Sequence, residues 1–495
     1  MSTRPLTEVT PNSWDFLREP MIRPTGFREY DARWRFPEEI NLPGITALGL
    51  GLGTQMQARG LPPSIAVGND YRDYSLGVKQ ALILGLTQAG IQVSDIGTAL
   101  SPMAYFAQFH LDAAAVAMVT ASHNPNGWTG VKMGFERPLT HGPDEMAELR
   151  DIVMEGRGVA RPGGGWSRVD GVREAYLDDL AGDYRMTRKL RMVVACGNGT
   201  AAAFAPELLE RIGVEVIGLH TDLDYTFPNY NPNPEAMEML HDMARAVRES
   251  GADLALGFDG DGDRCGVVDD RGEEIFADKM GVILARDWAP RHPGAAIVAD
   301  VKSTGLFASD PVLRAHGIKA EYWKTGHSHM KRRVHGIGAL AGFEKSGHYF
   351  LAPPLGRGYD DGMRVAVEIC KLMDRNAGAS LSDLAGALPR VWTSPTMSPA
   401  CPDEEKYQVL DRIVERLGDV DNLAGHAVTG VVTVNGARVM LDHGGWALVR
   451  ASSNTPNLVV VCESPDGPED LRAIFAALDA VIRTEPGVGA YDQTL

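Results

Sequence analysis

Short apolar runs, each leading into a polar or glycine-rich loop, recur through most of the chain. SIAVGND (Ser64 to Asp70) predicts a strand ending in a turn, and YSLGVKQALILGLTQAG has helical spacing that closes on Gly90. AAAVAMVTASHNP predicts a buried strand that runs into a loop at Ser122, and RMVVACGNGT, ADLALGFDGDGD and AAIVADVKSTG repeat the form. Strand, loop and helix in alternation predict α/β architecture with layered sheets, whose functional loops lie beyond the carboxyl ends of the strands. From residue 389 the pattern changes. VTGVVTVNGARVML and GWALVRASSNTPNLVVVCES predict strands around glycine turns, and DLRAIFAALDAVIRT predicts a terminal helix, so a smaller α+β domain is expected there. Turn-rich stretches near 162–165, 269–272 and 389–399 divide the chain into 1–165, 166–271, 272–388 and 389–495.

The length of 495 residues agrees with about three or four domains. A formal net charge of −17 argues against a non-specific nucleic-acid binder, though a locally basic pocket could still take a small anion. Five cysteines at wide spacings, without C-x-x-C, point away from a disulfide framework or zinc site and toward a reducing compartment. MSTRPLTEVTPNSWDF holds no signal-like apolar core, and no apolar run reaches ~18 residues. A cytoplasmic protein without membrane or nucleic-acid partners is expected; oligomeric state is not legible.

GFDGDGDR places Asp259, Asp261 and Asp263 at alternate positions between glycines, after an apolar run. Three carboxylates on one tight turn can converge on a hard cation such as Mg²⁺. An acidic surface turn is the plainer alternative. An EF-hand loop does not fit, because Arg264 and Asp270 stand where that loop needs Gly and Glu. In TASHNPNGWTGVK, Ser122 sits in a polar loop straight after the buried strand, followed by the turn signals Asn124-Pro125 and Asn126-Gly127. An isolated turn serine beside His123 would be unremarkable, and there is no G-x-S-x-G elbow to support a hydrolase triad.

FEKSGHYF sets Glu344, Ser346 and His348 at alternate positions; if extended, they face one side, a solvated strand face or a set of sugar-hydroxyl partners. VRASSNTPN joins Arg450 to Ser452, Ser453, Asn454 and Thr455, which suits either a polar hairpin turn or a phosphate cradle. FREYDARW adds Tyr30 and Arg33, and WKTGHSHMKRR adds Lys324, His327 and His329, the two histidines lacking an evident third soft ligand. GLGLGT after Leu48 spaces Gly49, Gly51 and Gly53 unlike a dinucleotide-binding G-x-G-x-x-G.

Taken in order, FREYDAR, TASHNP, FPNYNPNPE, GFDGDGDR, DVKST, WKTGHS, FEKSGH and GWALVRASSNTP resemble the α-D-phosphohexomutase family, and within it the bacterial phosphomannomutase/phosphoglucomutase branch. The likeness runs from about Phe27 to the C-terminus. It implies three similar α/β layered domains with mixed sheets and a smaller α+β C-terminal domain around a central cleft, each contributing one loop. It implies that Ser122 is the phosphorylated serine, and that Asp259, Asp261 and Asp263 hold Mg²⁺ together with a phosphoserine oxygen at Ser122. Glu344 and Ser346 would bind sugar hydroxyls. Arg450, with Ser452, Ser453, Asn454 and Thr455, would hold the non-reacting phosphate. Tyr30, Arg33, Lys132, Arg264, Lys302, His327 and His348 would line the cleft, with Lys132 and His327 as acid/base candidates. The implied reaction interconverts hexose 1-phosphate and hexose 6-phosphate through a hexose 1,6-bisphosphate.

Four positions depart from the family pattern. Trp34 follows Arg33 where members carry Gly, Lys345 stands where near relatives often have Met, and Ser-Ser-Asn-Thr replaces Ser-Asn-Thr-Thr around Ser453 and Asn454. Phosphoglucosamine mutase usually has Gln at the position of Lys345, which ranks it lower. A metal-dependent sugar phosphatase would need no cradle for a second phosphate, and would release free phosphate. A non-catalytic sugar-phosphate sensor would bind without phosphorylating Ser122.

Overall fold

The structure is a computed structural model that describes residues 4–452 and 455–495. The chain divides into two compact units: Met1–Ile275 with Ser346–Ser382, and Phe276–Lys345 with Asp383–Leu495.

The first unit holds two mixed sheets. In the six-stranded sheet the order is Ala32–Arg35, Trp128–Gly134, Ala115–Val119, Ser64–Asn69, Gln92–Thr98, Gly165–Arg168. The last four strands run parallel, and the first two are antiparallel additions at one edge. Ala115–Val119 is buried on both faces, as its unbroken apolar run predicts. The second sheet runs Glu274–Ile275, Cys265–Asp269, Leu254–Phe258, Arg191–Ala195, Glu215–Leu219, again parallel at its centre with an antiparallel hairpin at one edge. Thus both strand-to-loop motifs, at Ser122 and at Asp259, leave a central strand at its carboxyl end.

The first sheet's core includes helices Leu42–Ala58 and Ser75–Gln88. Here GLGLGT finds its purpose. A Cβ on Gly49 would stand 2.2 Å from the Leu82 carbonyl oxygen, and one on Gly85 2.0 Å from that of Thr46, so the glycines let two helix backbones touch. Trp34 is also resolved by packing. Alternation along Ala32–Arg35 turns it to the face opposite Arg33, where it is fully buried in this core. Its ring stacks edge-on to Phe27 at 5.2 Å, and its Nε1 donates to the Arg23 carbonyl at 2.7 Å.

Of the second unit, strand Ala296–Asp300 pairs in parallel with Lys319–Trp323 and with Ala341–Phe343. Its C-terminal part is a six-stranded antiparallel sheet in the order Trp392–Thr393, Leu458–Ser464, Trp446–Ala451, Ala437–Leu441, His426–Val432, Asn422–Leu423. Helices Lys406–Gly418 and Pro468–Ile482 contribute to its core. Arg438 ties these two parts together. It is fully buried, its guanidinium carbon lies 3.7 Å from the Tyr322 ring centroid and 3.8 Å from that of Trp446, and it donates to the carbonyls of Val301 and Ser303 at 2.7 Å each. Buried Glu463 adds to the seam, accepting from Thr304 Oγ1, the Gly305 N–H, Trp446 Nε1 and Thr393 Oγ1.

One expectation is overturned. Residues 344–347 form a turn after strand Ala341–Phe343, with Gly347 at φ +97°, so Glu344, Ser346 and His348 do not share one face of an extended strand. The i, i+2, i+4 pattern coincided with a chain reversal that glycine makes possible. Among the described residues no helix is long and apolar enough to cross a membrane.

Candidate active site

The loop after Ala115–Val119 is held rigidly from below. Asp70, just past strand Ser64–Asn69, accepts from Thr120 Oγ1 at 2.8 Å, from the Ala121 N–H at 3.2 Å and from Arg72 Nε at 3.1 Å. Arg72 in turn donates to the carbonyls of Ser122 and Asn124, 2.8 Å each. Bound in this way, Ser122 takes φ +52°, a conformation that side chains other than Gly adopt uncommonly and that often marks function. It is 3% exposed, and its Oγ lies 3.1 Å from Asp259 Oδ2 and 3.3 Å from His123 Nδ1.

Asp259, Asp261 and Asp263 are all fully buried, and a ligand oxygen from each lies within 4.8 Å of the others. Glycine permits the approach of this loop to the serine loop. A Cβ on Gly260 would fall 2.6 Å from the Ser122 carbonyl oxygen. Three buried carboxylates repel one another unless cations compensate. Lys132, projecting from strand Trp128–Gly134, supplies one: its Nζ is 2.7 Å from Asp261 Oδ2 and also bonds Asp263 Oδ2. Burial works against this ammonium, but Asp261 and Asp263 outweigh it and hold its pKa well above the usual lysine value. Burial and the other two carboxylates push Asp259 up, whereas Lys132 and His348 overcome burial to hold Asp263 below the usual range.

The donor set fits a hard divalent cation. It is all oxygen, three carboxylates and the Ser122 hydroxyl converge, and the buried Asp261 Oδ1 accepts no hydrogen bond. Ser101, at the start of helix Ser101–His110, steadies the loop by donating its hydroxyl to Asp261 Oδ2 at 2.6 Å and its N–H to the Asp261 carbonyl at 2.9 Å.

Other predicted residues surround this cluster. Arg33 donates to the Ala121 carbonyl at 3.2 Å and to Asp31 at 2.6 Å. Arg264 pairs with Glu235 at 2.7 Å, and its Nε is 3.8 Å from Asp259 Oδ2. His348 Nε2 is 3.5 Å from Asp263 Oδ1, and its Nδ1 is 3.1 Å from Ser346 Oγ. The Arg264 charge, then burial and Arg33, hold the His123 imidazole well below its ordinary pKa. Tyr30 is half-buried in the bend before Ala32–Arg35.

The second unit gathers a different group. Asp300 ends its strand and accepts from Ser303 Oγ at 2.5 Å, Thr325 Oγ1 at 2.9 Å and the Lys345 N–H at 3.4 Å. Glu344 accepts from the Gly326 N–H at 2.5 Å, and buried His327 Nδ1 lies 3.3 Å from Lys331 Nζ. So the DVKST, KTGHS and FEKS loops meet, with Lys302 in the first of them. Lys345 Nζ sits 5.6 Å over the Phe276 ring, a cation–π contact. Elsewhere in this unit Arg450 lies near the end of strand Trp446–Ala451 and donates to the Ala451 carbonyl at 2.9 Å. Ser452 Oγ and Thr455 Oγ1 are 2.7 Å apart, and Lys406 Nζ donates to the Thr455 carbonyl at 3.1 Å. Ser453 and Asn454 lie outside the described residues.

Sequence reasoning missed Asp70, Arg72, Ser101 and Lys406. Asp70 and Arg72 had a signal, since they close an apolar strand just where α/β loops become functional. Ser101 and Lys406 had none, because only the tertiary fold brings them to their partners.

Comparison with known proteins finds relatives over nearly the whole chain. Family models for phosphoglucomutase/phosphomannomutase match alpha/beta/alpha domain I over residues 24–158, domain II over 174–272, domain III over 276–391 and the C-terminal domain over 400–481. A phosphomannomutase/phosphoglucomutase of Pseudomonas putida is 34% identical over 462 residues, 93% of this chain and 96% of its own. A phosphoglucomutase of Neisseria meningitidis is 31% identical over 463 residues, 93% of this chain and 97% of its own. A crystal structure of a phosphoglucomutase/phosphomannomutase family protein from Burkholderia thailandensis matches with TM-score 0.86 and 30% identity, covering 95% of this chain and 99% of that one. Four domains in the same order, over nearly the whole length, place this chain in the phosphoglucomutase/phosphomannomutase family.

Proposed function

We propose that this protein interconverts hexose 1-phosphate and hexose 6-phosphate of glucose, mannose or both, and that Ser122 carries the phosphoryl group between them. The observation that carries this reading is the seat of Ser122 Oγ, 3.1 Å from Asp259 within a buried set of three carboxylates. Mg²⁺, held by Asp259, Asp261, Asp263 and a phosphoserine oxygen, would neutralise charge on the transferring phosphoryl group.

The chain's own residues do the rest. Phosphoryl transfer asks mainly for positioning and charge compensation. Lys132 and Arg33 lie beside the loops that carry Ser122 and the carboxylates, where their charges offset the phosphate. The free sugar hydroxyl gives up its proton to His327, the other acid/base candidate Lys132 being held as an ammonium by Asp261 and Asp263, and attacks phosphorus, and the bond from phosphorus to Ser122 Oγ breaks. The hexose 1,6-bisphosphate so formed reorients and returns its other phosphoryl group to Ser122. Glu344 and Ser346 bind sugar hydroxyls. Arg450, Ser452, Ser453, Asn454 and Thr455 hold the phosphate that is not reacting, and Tyr30, Arg264, Lys302 and His348 complete the contacts with the substrate.

The test is a coupled assay with glucose 1-phosphate and mannose 1-phosphate side by side, supplied with Mg²⁺ and catalytic bisphosphate, together with intact-mass analysis. Hexose 6-phosphate should form, and one phosphate should reside on Ser122. Release of free phosphate with no hexose 6-phosphate would instead establish a phosphatase.

A further inference from the structure

On the C-terminal sheet, two imidazoles lie face to face. His426 opens strand His426–Val432, and His443 sits in the turn between strands Ala437–Leu441 and Trp446–Ala451. Their ring centroids are 3.6 Å apart and their planes differ by 13°. Both Nε2 atoms point to one carboxylate, His426 at 2.8 Å from Asp470 Oδ1 and His443 at 3.3 Å from Asp470 Oδ2. Asp470 stands in the first turn of helix Pro468–Ile482, and Asp466 lies just before that helix. One ligand atom from each of His426, His443, Asp466 and Asp470 lies within 4.8 Å of all the others.

We infer that these four residues form a second cation site, on the C-terminal sheet, for a borderline divalent metal of which Zn²⁺ is the best match. Two imidazole nitrogens and two carboxylate oxygens are a tetrahedral zinc donor set, whereas Mg²⁺ favours oxygen alone. The opposite edges of the rings carry the arrangement further. Asp442 Oδ1 is 3.9 Å from His426 Nδ1 and 3.8 Å from His443 Nδ1. At that distance it makes no hydrogen bond to either ring, and acts on both as a nearby negative charge that favours a bound cation. Ser464 Oγ donates to Asp470 at 2.6 Å. Access is open, since Asp466 is exposed and the other three are half-buried. A bound ion would tie one strand, one turn and one helix start into a clip, on the sheet whose strand Trp446–Ala451 carries Arg450.

The test uses the full-length protein in an Asp261→Asn background, which weakens the catalytic carboxylates as a competing site. After chelation and dialysis against Zn²⁺ alone, elemental analysis should find one retained zinc per chain. His426→Gln and His443→Gln should each lose it. Should a histidine variant fail to fold, Asp466→Asn, at an exposed side chain, should still weaken binding. Co²⁺ should give the intense visible bands of tetrahedral coordination, and Zn²⁺ should raise the melting temperature of the Asp261→Asn protein but not of its His443→Gln derivative. No retained zinc, or retention undiminished by the histidine substitutions, would overturn the assignment.

Discussion

Ser122 Oγ donates to Asp259 Oδ2 at 3.1 Å, although 137 positions separate the two residues in the chain. The contact joins the loop of one sheet to the loop of another. Ser122→Ala should therefore remove the phosphate seen by intact-mass analysis and nearly all mutase turnover, while the circular dichroism spectrum stays unchanged. Mutase rates close to normal in this variant would dismiss Ser122 as the carrier.

Gly260 makes that contact possible. In Gly260→Ala the new Cβ would lie 2.6 Å from a backbone oxygen, so the two loops must part. Overpacking of this kind costs about 1–3 kcal/mol, and a displacement of even ~1 Å can cost ~100-fold in rate. The expected result is a modest loss in melting temperature with a much larger loss in kcat. A variant with normal kcat would show that the loops are free to adjust.

Lys132 compensates two buried carboxylates. Removing one partner of such a cluster typically costs about 3–5 kcal/mol. Lys132→Met should melt well below the wild type in the presence of a chelator. Mg²⁺ should restore more of the melting temperature in the variant than it adds to the wild type, because Asp261 and Asp263 have lost their internal cation. Equal Mg²⁺ shifts in both proteins, measured by scanning fluorimetry, would count against metal binding at these aspartates.

Asp361 gives a pH dependence of definite sign. It caps helix Gly362–Arg375 and accepts from Tyr176 OH at 2.9 Å. Burial raises its carboxyl to about 6, despite the opposing Arg364 N–H and charge. Below the unfolded value, near 4, the group is protonated in both states and has no effect. Between about 4 and 6 the unfolded chain ionises first, so the folded state loses stability as pH rises, by about 3 kcal/mol in all. Asp361→Asn keeps a good cap and should lack this slope. Chemical denaturation of both proteins at several pH values checks it; parallel curves would refute it.

Arg450 recognises a phosphate on the reading given above, and a guanidinium fork suits phosphate attached at either sugar carbon. Arg450→Ala should raise KM for glucose 1-phosphate and mannose 1-phosphate by similar factors. An effect confined to one sugar would move this residue to sugar discrimination.

Much of this was legible in the sequence, for reasons particular residues make clear. Ile65–Val67 and AAAVAMV are apolar runs because their strands are buried on both faces, and Gly90 ends its helix at φ +83°. The convergence of the DGDGD carboxylates was legible because alternate aspartates between glycines on one tight turn can face a common point. FEKSGH misled, since alternation of polar residues looks the same on a strand and on a turn. Ser101 and Lys406 could not be found, because their partners lie on other segments and nothing local marks them. Trp34 was seen as a departure near the site, yet its side chain serves the opposite face of the strand.

Arg438 has a consequence for motion. Its guanidinium is clamped between Tyr322 and Trp446 and bound to the loop that carries Lys302, while its strand lies beside the strand that carries Arg450. Opening this seam would strand a buried cation and two carbonyls at once, which is far costlier than fraying a loop. The amides of Ala296–Asp300 and of Trp446–Ala451 should therefore exchange with deuterium as one cooperative foldon, with Arg438 as its keystone.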